Sequence, residues 1–353
     1  MSQEKTSAPV AENKMGTMPI GKLLFNMSLP MMISMLVQAL YNIVDSIFVA
    51  KLSENALTAV SLAFPLQTLL IAVGTGTGVG MNALLSRSLG EKNYEKANHI
   101  ARNAAFLYFL SYLLFLVLGF TVVKPFYASQ IGGADSEIME LGIEYLSTVM
   151  IFSFGLFTQV FFERLLTSTG RTIFSMTSQL CGAVTNIILD PILIFGFKMG
   201  MTGAALATIT GQIISAFLVF RYLRHYKAGP FTREHLRPKM VYLGYAMTLG
   251  MAQCFNQLAM MLVQIVMNNS LRHYGAPSVY GEAIPLACSG IINKVSFMFF
   301  AFCIGIAQGM QPIASFNYGA KNYDRVKKVI FLSLSAGQII CITAFCLFQI
   351  FPL

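Results

Sequence analysis

Apolar residues along the chain recur in long uninterrupted runs, separated by short charged or Gly/Pro-rich breaks. The runs fall at 23–49, 56–82, 98–123, 138–163, 172–197, 201–221, 240–270, 283–311 and 328–351. A helix needs about 20 apolar residues to cross the hydrocarbon core, whereas a spanning strand needs roughly 10 and alternates inward and outward residues. The runs are long and do not alternate, so the pattern predicts an all-α membrane protein, a polytopic bundle with nine transmembrane helices.

Composition strengthens this reading. Of 353 residues 56% are hydrophobic and 11% charged, against roughly 25% charged in an average soluble domain, which excludes an ordinary soluble enzyme. The net charge of +9 does not point to nucleic acid, because the basic residues sit in the breaks between runs. With the N-terminus on the cytoplasmic side, nineteen Lys and Arg fall in cytoplasmic segments. Only Lys51, Lys124, Lys198 and Arg272 fall on the other side, and Lys294 lies inside a run. That asymmetry is the positive-inside pattern of a multi-pass protein of the cell membrane. Residues 1–22 read as a cytoplasmic tail followed by a retained first span rather than a signal peptide. The six cysteines lie in apolar runs without C-x-x-C spacing, which argues for neither a disulfide framework nor a metal centre. His99, His225, His235 and His273 lie in charged connections and read as solvated, and no cofactor is implied.

The chain also repeats itself. Residues 74–97 align with 303–326 at an offset of 229, with eight identities: Gly76/Gly305, Gly80/Gly309, Met81/Met310, Ser86/Ser315, Gly90/Gly319, Lys92/Lys321, Asn93/Asn322 and Tyr94/Tyr323. Six helices precede the restart, and an even number preserves direction, so two parallel six-helix repeats are expected, related by an axis along the membrane normal. The second is incomplete, with three of its six helices in this sequence. The implied organisation is a tail at 1–22, a six-helix bundle at 23–228, a cytoplasmic linker at 229–239 and a partial bundle at 240–353. Gly74, Gly76, Gly78 and Gly80 superficially suggest a dinucleotide loop, but no strand precedes them. Small residues four apart, such as Gly76 and Gly80, instead let helices approach closely.

Ionisable residues inside spans are costly unless paired or wet, and are functional candidates by default. Of the fifteen acids, Asp45 and Asp190 sit well inside apolar runs. At 1.5 Å per residue, Asp45 lies about 8 Å, and Asp190 and Thr208 about 10 Å, below the outer ends of helices one, five and six. Asn186 precedes Asp190 by one helical turn, and Tyr41 precedes Asp45 likewise. Two carboxylates near each other in a low dielectric hold a proton or a cation between them. Oxygens of Asp45, Asn186, Asp190 and Thr208 form a candidate Na⁺ site on the same grounds, and the alternative is a static interhelical hydrogen bond. Pro191 removes a helical hydrogen bond beside this layer, and Pro30 permits a bend in helix one. In the second repeat, matching Ser28-Leu29-Pro30 to Thr248-Leu249-Gly250 sets Ile265 opposite Asp45. That leaves Lys294 and Glu282 as the candidates there. Met31, Met32 and Met35 with Met247, Met251, Met260 and Met261 suit a plastic cavity wall.

The segments YNIVDSIFVAKL (41–52), GVGMNALLSRSLGEKN (78–93), NIILDPILIFG (186–196), GAALATITGQ (203–212) and QGMQPIASFNYGAKNYDRVKK (308–328) resemble the multidrug and toxic compound extrusion (MATE) transporters. The resemblance covers nearly the whole chain and is closest to the bacterial multidrug-export branch. It implies twelve helices in two bundles around a central cavity of alternating access. It also implies export of cationic or amphipathic drugs in exchange for H⁺ or Na⁺, by a monomer among membrane lipids. By the same resemblance Asp45, Asn186, Asp190 and Thr208 are the ion-coupling residues, Pro30 the bending proline and Tyr41 its polar neighbour. The acid that some relatives carry in helix seven is missing. The alternative is a lipid-linked oligosaccharide flippase of the same superfamily, which expects a cationic cavity.

Overall fold

The computed structural model describes residues 13–131, 137–224, 240–275, 277 and 283–350. Most of the tail, the 229–239 linker, Glu282, His225, His235 and the side chain of Lys294 lie outside the described residues. All described regular structure is helical: α1 Lys14–Thr17, α2 Ile20–Leu52, α3 Glu54–Gly90, α4 Tyr94–Thr121, α5 Val123–Ile131, α6 Glu137–Ile151 and α7 Phe154–Ser168. There follow α8 Thr172–Pro191, a π turn Ile192–Gly196, α9 Gly200–Arg224, α10 Met240–Gly275, α11 Ala283–Gly319 and α12 Tyr323–Ile350. Among the described residues eight helices are long and apolar enough to span a bilayer, and α6 with α7, bent by 43°, make a ninth.

Side-chain caps fix two of the helix starts. The Ser53 hydroxyl accepts the Ala56 N–H (3.0 Å) at α3, and the Asn93 carbonyl oxygen accepts the Lys96 N–H (2.9 Å) at α4, each satisfying an otherwise orphan donor. Large apolar residues lie on both sides of the bundle surface, with Phe115, Tyr127 and Phe157 inside it. Phe120, Phe217 and Phe331 are exposed, whereas Ala59, Ala63, Ala72, Ala204, Ala205 and Ala207 are fully buried. Lipid tails are as apolar as these side chains, so large residues can face outward at little cost while small ones let helices approach closely. Interhelical hydrogen bonds then satisfy interior polar groups: Tyr127 Oη donates to the Ala59 carbonyl (2.7 Å), Tyr108 Oη to the Gly74 carbonyl (3.0 Å) and Asn82 Nδ2 to Thr167 Oγ1 (3.2 Å).

The repeat seen in the sequence is a repeat of backbone geometry. Lys92 and Lys321, the equated positions, both adopt left-handed conformations, with φ of 56° and 59°. Around them Lys92 N–H bonds the Leu89 carbonyl as Lys321 N–H bonds that of Tyr318, both at 3.1 Å. Asn93 N–H bonds the Ser88 carbonyl (3.0 Å) as Asn322 N–H bonds that of Asn317 (2.8 Å). The two turns also meet. A Cβ on Gly90 would lie 1.9 Å from the Phe316 carbonyl oxygen, and one on Gly319 would lie 2.1 Å from that of Arg87. Arg87 and Phe316 are themselves equated by the 229-residue offset, so the contact is reciprocal, as a two-fold relation demands. The turn ends of α3 and α11 are therefore jammed backbone to backbone, on the side where the sequence places most of its basic residues. That side is called the basic side below.

The other motif glycines have similar partners. Gly76 and Gly80 of α3 abut Gly250 and Ala246 of α10, and Gly305 and Gly309 of α11 abut Met32 and Ser28 of α2. These contacts correct the expected alignment of the first helix of each repeat. They equate Ser28 with Ala246 and Met32 with Gly250, two residues away from the match on Thr248. Val263 rather than Ile265 therefore stands opposite Asp45. Helix packing fixes that register, while the short, weakly similar sequence does not.

Two further expectations change. The 138–163 run is not one span ending at its charged residues: the chain bends after Ile151, and α7 continues to Ser168, carrying Glu163 and Arg164 inside the bundle. His99 is not a solvated loop residue. Starting α4 at Tyr94 places it 6% exposed, with its ring stacked 6.2 Å from that of Tyr242.

Candidate functional site

The site is assembled where α8 and α9 come into backbone contact. A Cβ on Gly182 would lie 2.7 Å from the Gly211 carbonyl oxygen, and one on Gly211 2.6 Å from that of Gly182. Asn186 is one turn beyond Gly182 and Thr208 one turn before Gly211, so the glycine contact brings their side chains together. Asn186 Nδ2 lies 3.3 Å from Thr208 Oγ1 and 3.4 Å from Asp190 Oδ1, donating to both, while the Thr208 hydroxyl reaches back to the Ala204 carbonyl at 3.2 Å. Asn186 and Asp190 are buried, at 3% and 0% exposure.

Pro191 follows directly. It has no N–H for the Ile187 carbonyl, and the helix continues only as the π turn, closed by Phe197 N–H on the Ile192 carbonyl at 2.9 Å. Gly203 lets α9 pass this turn, since a Cβ there would sit 2.9 Å from the Leu193 carbonyl carbon.

The third wall is α2, which packs along α8. Asp45 is half-buried, and its carboxylate is near enough to act electrostatically on Asp190, Tyr41 and Tyr145. Tyr41 is hydrogen-bonded to Gln38, and Gln67 Nε2 donates to Tyr145 Oη at 3.0 Å. Asp45, Asn186, Asp190 and Thr208 thus occupy one neighbourhood, with Tyr41 beside it and Pro191 at its edge. Pro30 lies elsewhere: it is buried in α2 between Ser28 and Met32, at the α11 contact.

What distinguishes the cluster chemically is unmet acceptor capacity. Asp45 Oδ1, Asp190 Oδ2 and Asn186 Oδ1 are each buried without a hydrogen-bond partner. Buried polar atoms are ordinarily satisfied, and three orphan oxygens of which two belong to carboxylates fit a proton or a hard cation such as Na⁺. Among the described residues no group of three or more His, Cys, Asp or Glu side chains has metal-ligating geometry.

The residue missed by sequence reasoning is Glu163. It is 8% exposed and accepts a 2.8 Å hydrogen bond from Gln159 Nε2. Its place beside Arg164 at the end of an apolar run imitates a span boundary. The glutamines at 159 and 179 were the available signal.

Comparison with known proteins agrees with this architecture. The MatE family model matches residues 30–192 and 252–352. The multidrug export protein MepA of Staphylococcus haemolyticus is 30% identical over 337 residues, covering 92% of this chain and 71% of that protein. MepA of Staphylococcus aureus is 29% identical over 336 residues with the same coverage. Among solved structures, a multidrug resistance MATE family transporter in an outward-facing conformation superposes with a TM-score of 0.89 at 23% identity, over 98% of this chain and 75% of that one. A MATE structure in complex with MaL6 gives 0.88 at 24% identity, over 96% and 75%. The chain belongs to the MatE family, as its motifs suggested, and is a membrane transporter rather than an enzyme.

Proposed function

We propose that the protein exports cationic or amphipathic drugs and toxic compounds across the cell membrane by alternating access, coupled to inward movement of H⁺ or Na⁺ bound at Asp45, Asn186, Asp190 and Thr208. The three orphan buried oxygens in that cluster carry the reading. A static structural hydrogen-bond network would satisfy them, whereas a site that loads and unloads an ion leaves acceptors for it. The relatives named as multidrug export proteins support the drug substrates.

The basic side is the cytoplasmic side in this account, and the N-terminus lies there. α2–α9 form the first bundle, with α10–α12 belonging to its partner. On that orientation the backbone contacts at Gly90 and Gly319 bar exit to the cytoplasm, so substrate bound in this conformation leaves outward. Ion binding between α2 and α8 neutralises the acids and changes how α2 packs. Because α2 also carries the contact with Gly305 and Gly309, that change reaches α11.

The experiment is dye efflux from vesicles under separately imposed pH and Na⁺ gradients. Asp45→Asn and Asp190→Asn are expected to abolish gradient-driven efflux, with normal insertion and expression. Gradient-driven efflux retained by both variants refutes the reading. The same vesicles with a lipid-linked oligosaccharide report on the flippase alternative.

A further inference from the structure

Glu163 and Arg164 are adjacent on α7 and both 8% exposed, yet no ion pair joins them among the described residues. Neighbours on a helix point about 100° apart, and these two face different partners. Glu163 turns toward α8: it accepts from Gln159 Nε2 on its own helix at 2.8 Å and is hydrogen-bonded to Gln179 of α8. Arg164 turns toward α3 and α4. It covers Gly78, where a Cβ would lie 2.9 Å from Arg164 Cγ and 2.8 Å from the Tyr108 hydroxyl, and its Nε has no hydrogen-bond partner.

We infer that Glu163 is a second proton-binding carboxylate of the transport cycle, held between Gln159 and Gln179 on the basic side of the Asp45–Asp190 cluster. The inference rests on the ion-coupled reading above. Glu163 lies about 8 Å from the basic-side end of α7, whereas Asp45 lies about 10 Å from the opposite end of α2. The two acids therefore address opposite sides of the membrane. Glu163 is also near enough to Tyr41 to act on it electrostatically, and Tyr41 feels Asp45 as well, so the two stations are in electrical contact.

Amide N–H groups converge on the Glu163 carboxylate. Two donors leave lone pairs of the carboxylate free for a proton, while the neighbouring Arg164 charge and the lack of a second carboxylate acting on it among the described residues disfavour a metal cation, which makes H⁺ the ligand here. A proton from basic-side water forms an O–H bond on the carboxylate and removes its charge, and its return to the same water restores the carboxylate. The titratable groups in reach are Arg164 on α7, Tyr108 on α4 and Tyr41 on α2. α8 brings the neutral Gln179, α3 the neutral Gly78, and α9 meets α7 through Gly155 and Phe162.

Protonation leaves the buried Arg164 guanidinium without its compensating charge. Arg164 presses on Gly78, one face of α3, while Gly76 and Gly80 on the other face hold α10. The proton on Glu163 thereby acts on the contact between α3 and α10.

The test uses the purified full chain in liposomes, with ethidium as substrate. Wild type, Glu163→Gln, Glu163→Asp and Asp190→Asn are compared in efflux driven by a pH gradient, at a series of pH values, and in gradient-free counterflow. Glu163→Gln is expected to keep counterflow, lose its pH dependence and fall at least about tenfold in driven efflux. Glu163→Asp is expected to restore the pH dependence. A wild-type pH profile in Glu163→Gln overturns the inference, and so does loss of counterflow in that variant, which marks a packing role. Wild-type driven efflux from Asp190→Asn alone refutes the cluster reading and leaves Glu163 as the coupling site.

Discussion

Single residues decide how close the helices come, and the glycines of the repeated motif show it most directly. Gly80 has the Ala246 carbonyl oxygen 1.9 Å from where its Cβ would be, so Gly80→Ala must push α3 from α10. A loss of about 1–3 kcal/mol in unfolding stability is expected, measured by denaturation in detergent, whereas Gly244→Ala, inside α10 with open space around it, is expected to cost nothing and to gain up to about 1 kcal/mol from helix propensity. Glu91 illustrates a charge effect outside the spans. It pairs with Lys96 Nζ and Arg87 Nε, both at 2.9 Å. The Lys96 contact foremost, with help from Arg87, holds its carboxyl below the usual 4.5 despite some burial. A depressed carboxylate contributes stability that is complete above its unfolded value and lost as pH falls through the folded value. Thermal stability should therefore drop below about pH 4.5 by a modest amount, and Glu91→Gln should flatten that part of the profile.

At the scale of elements, the tail segment acts as a clamp on the basic side. Met15 of α1 is fully buried, and its carbonyl accepts from Asn317 Nδ2 (3.0 Å) and an Arg325 nitrogen (3.2 Å), while the same Arg325 nitrogen reaches the Met18 carbonyl at 2.7 Å. Lys14 and Met15 also lie against Gly170, in the turn between α7 and α8. A four-residue helix thus ties the α7–α8 turn to the α11–α12 turn. Arg325→Ala is expected to speed hydrogen exchange at residues 13–18, with little change at α8 and α9. Burial, and then the nearby Arg171 charge, lower the Lys14 pKa. The docked segment is therefore favoured as pH rises through that lowered value toward 10.5, and Lys14→Gln should slow the same exchange at neutral pH. None of this clamp was legible in the polar tail sequence, because the segment gains its structure from residues some 300 positions away. The spans were legible because lipid forces every backbone group into helix. The bend after Ile151 and the continuation past Glu163 were not, since a charge satisfied by neighbouring amides looks identical in sequence to a charge facing water.

Across the whole molecule the repeat and the polar cluster around Asp190 were legible in the sequence to different depths. Eight identities predicted a duplication, and the structure shows those residues building matched turns that meet reciprocally at Gly90 and Gly319. Matching the short Ser28-Leu29-Pro30 segment to Thr248-Leu249-Gly250 missed the register of α10 against α2 by two residues. The cluster was legible from depth counting because Asp45, Asn186, Asp190 and Thr208 are polar in otherwise apolar runs. The Gly182–Gly211 contact that assembles it was not, since a glycine's partner does not appear in its own sequence. If alternating access opens the basic side, the Gly90–Gly319 contact must break. Spin labels on Lys92→Cys and Lys321→Cys should then report a longer distance in the other state, by at least the roughly 5 Å of a one-turn shift between helices. An unchanged distance under every substrate and ion condition would contradict that opening. The central claim is that the orphan oxygens around Asp190 hold the coupling ion, and antiport requires that substrate binding and ion binding oppose each other. The most direct measurement is ion release from purified protein on adding ethidium, followed as protons with a pH indicator in weak buffer and as Na⁺ with a selective electrode. Release of one of these ions is expected from wild type and none from the Asp45→Asn, Asp190→Asn double variant. Substrate binding that releases neither ion from wild type, or equal release from the double variant, would contradict it.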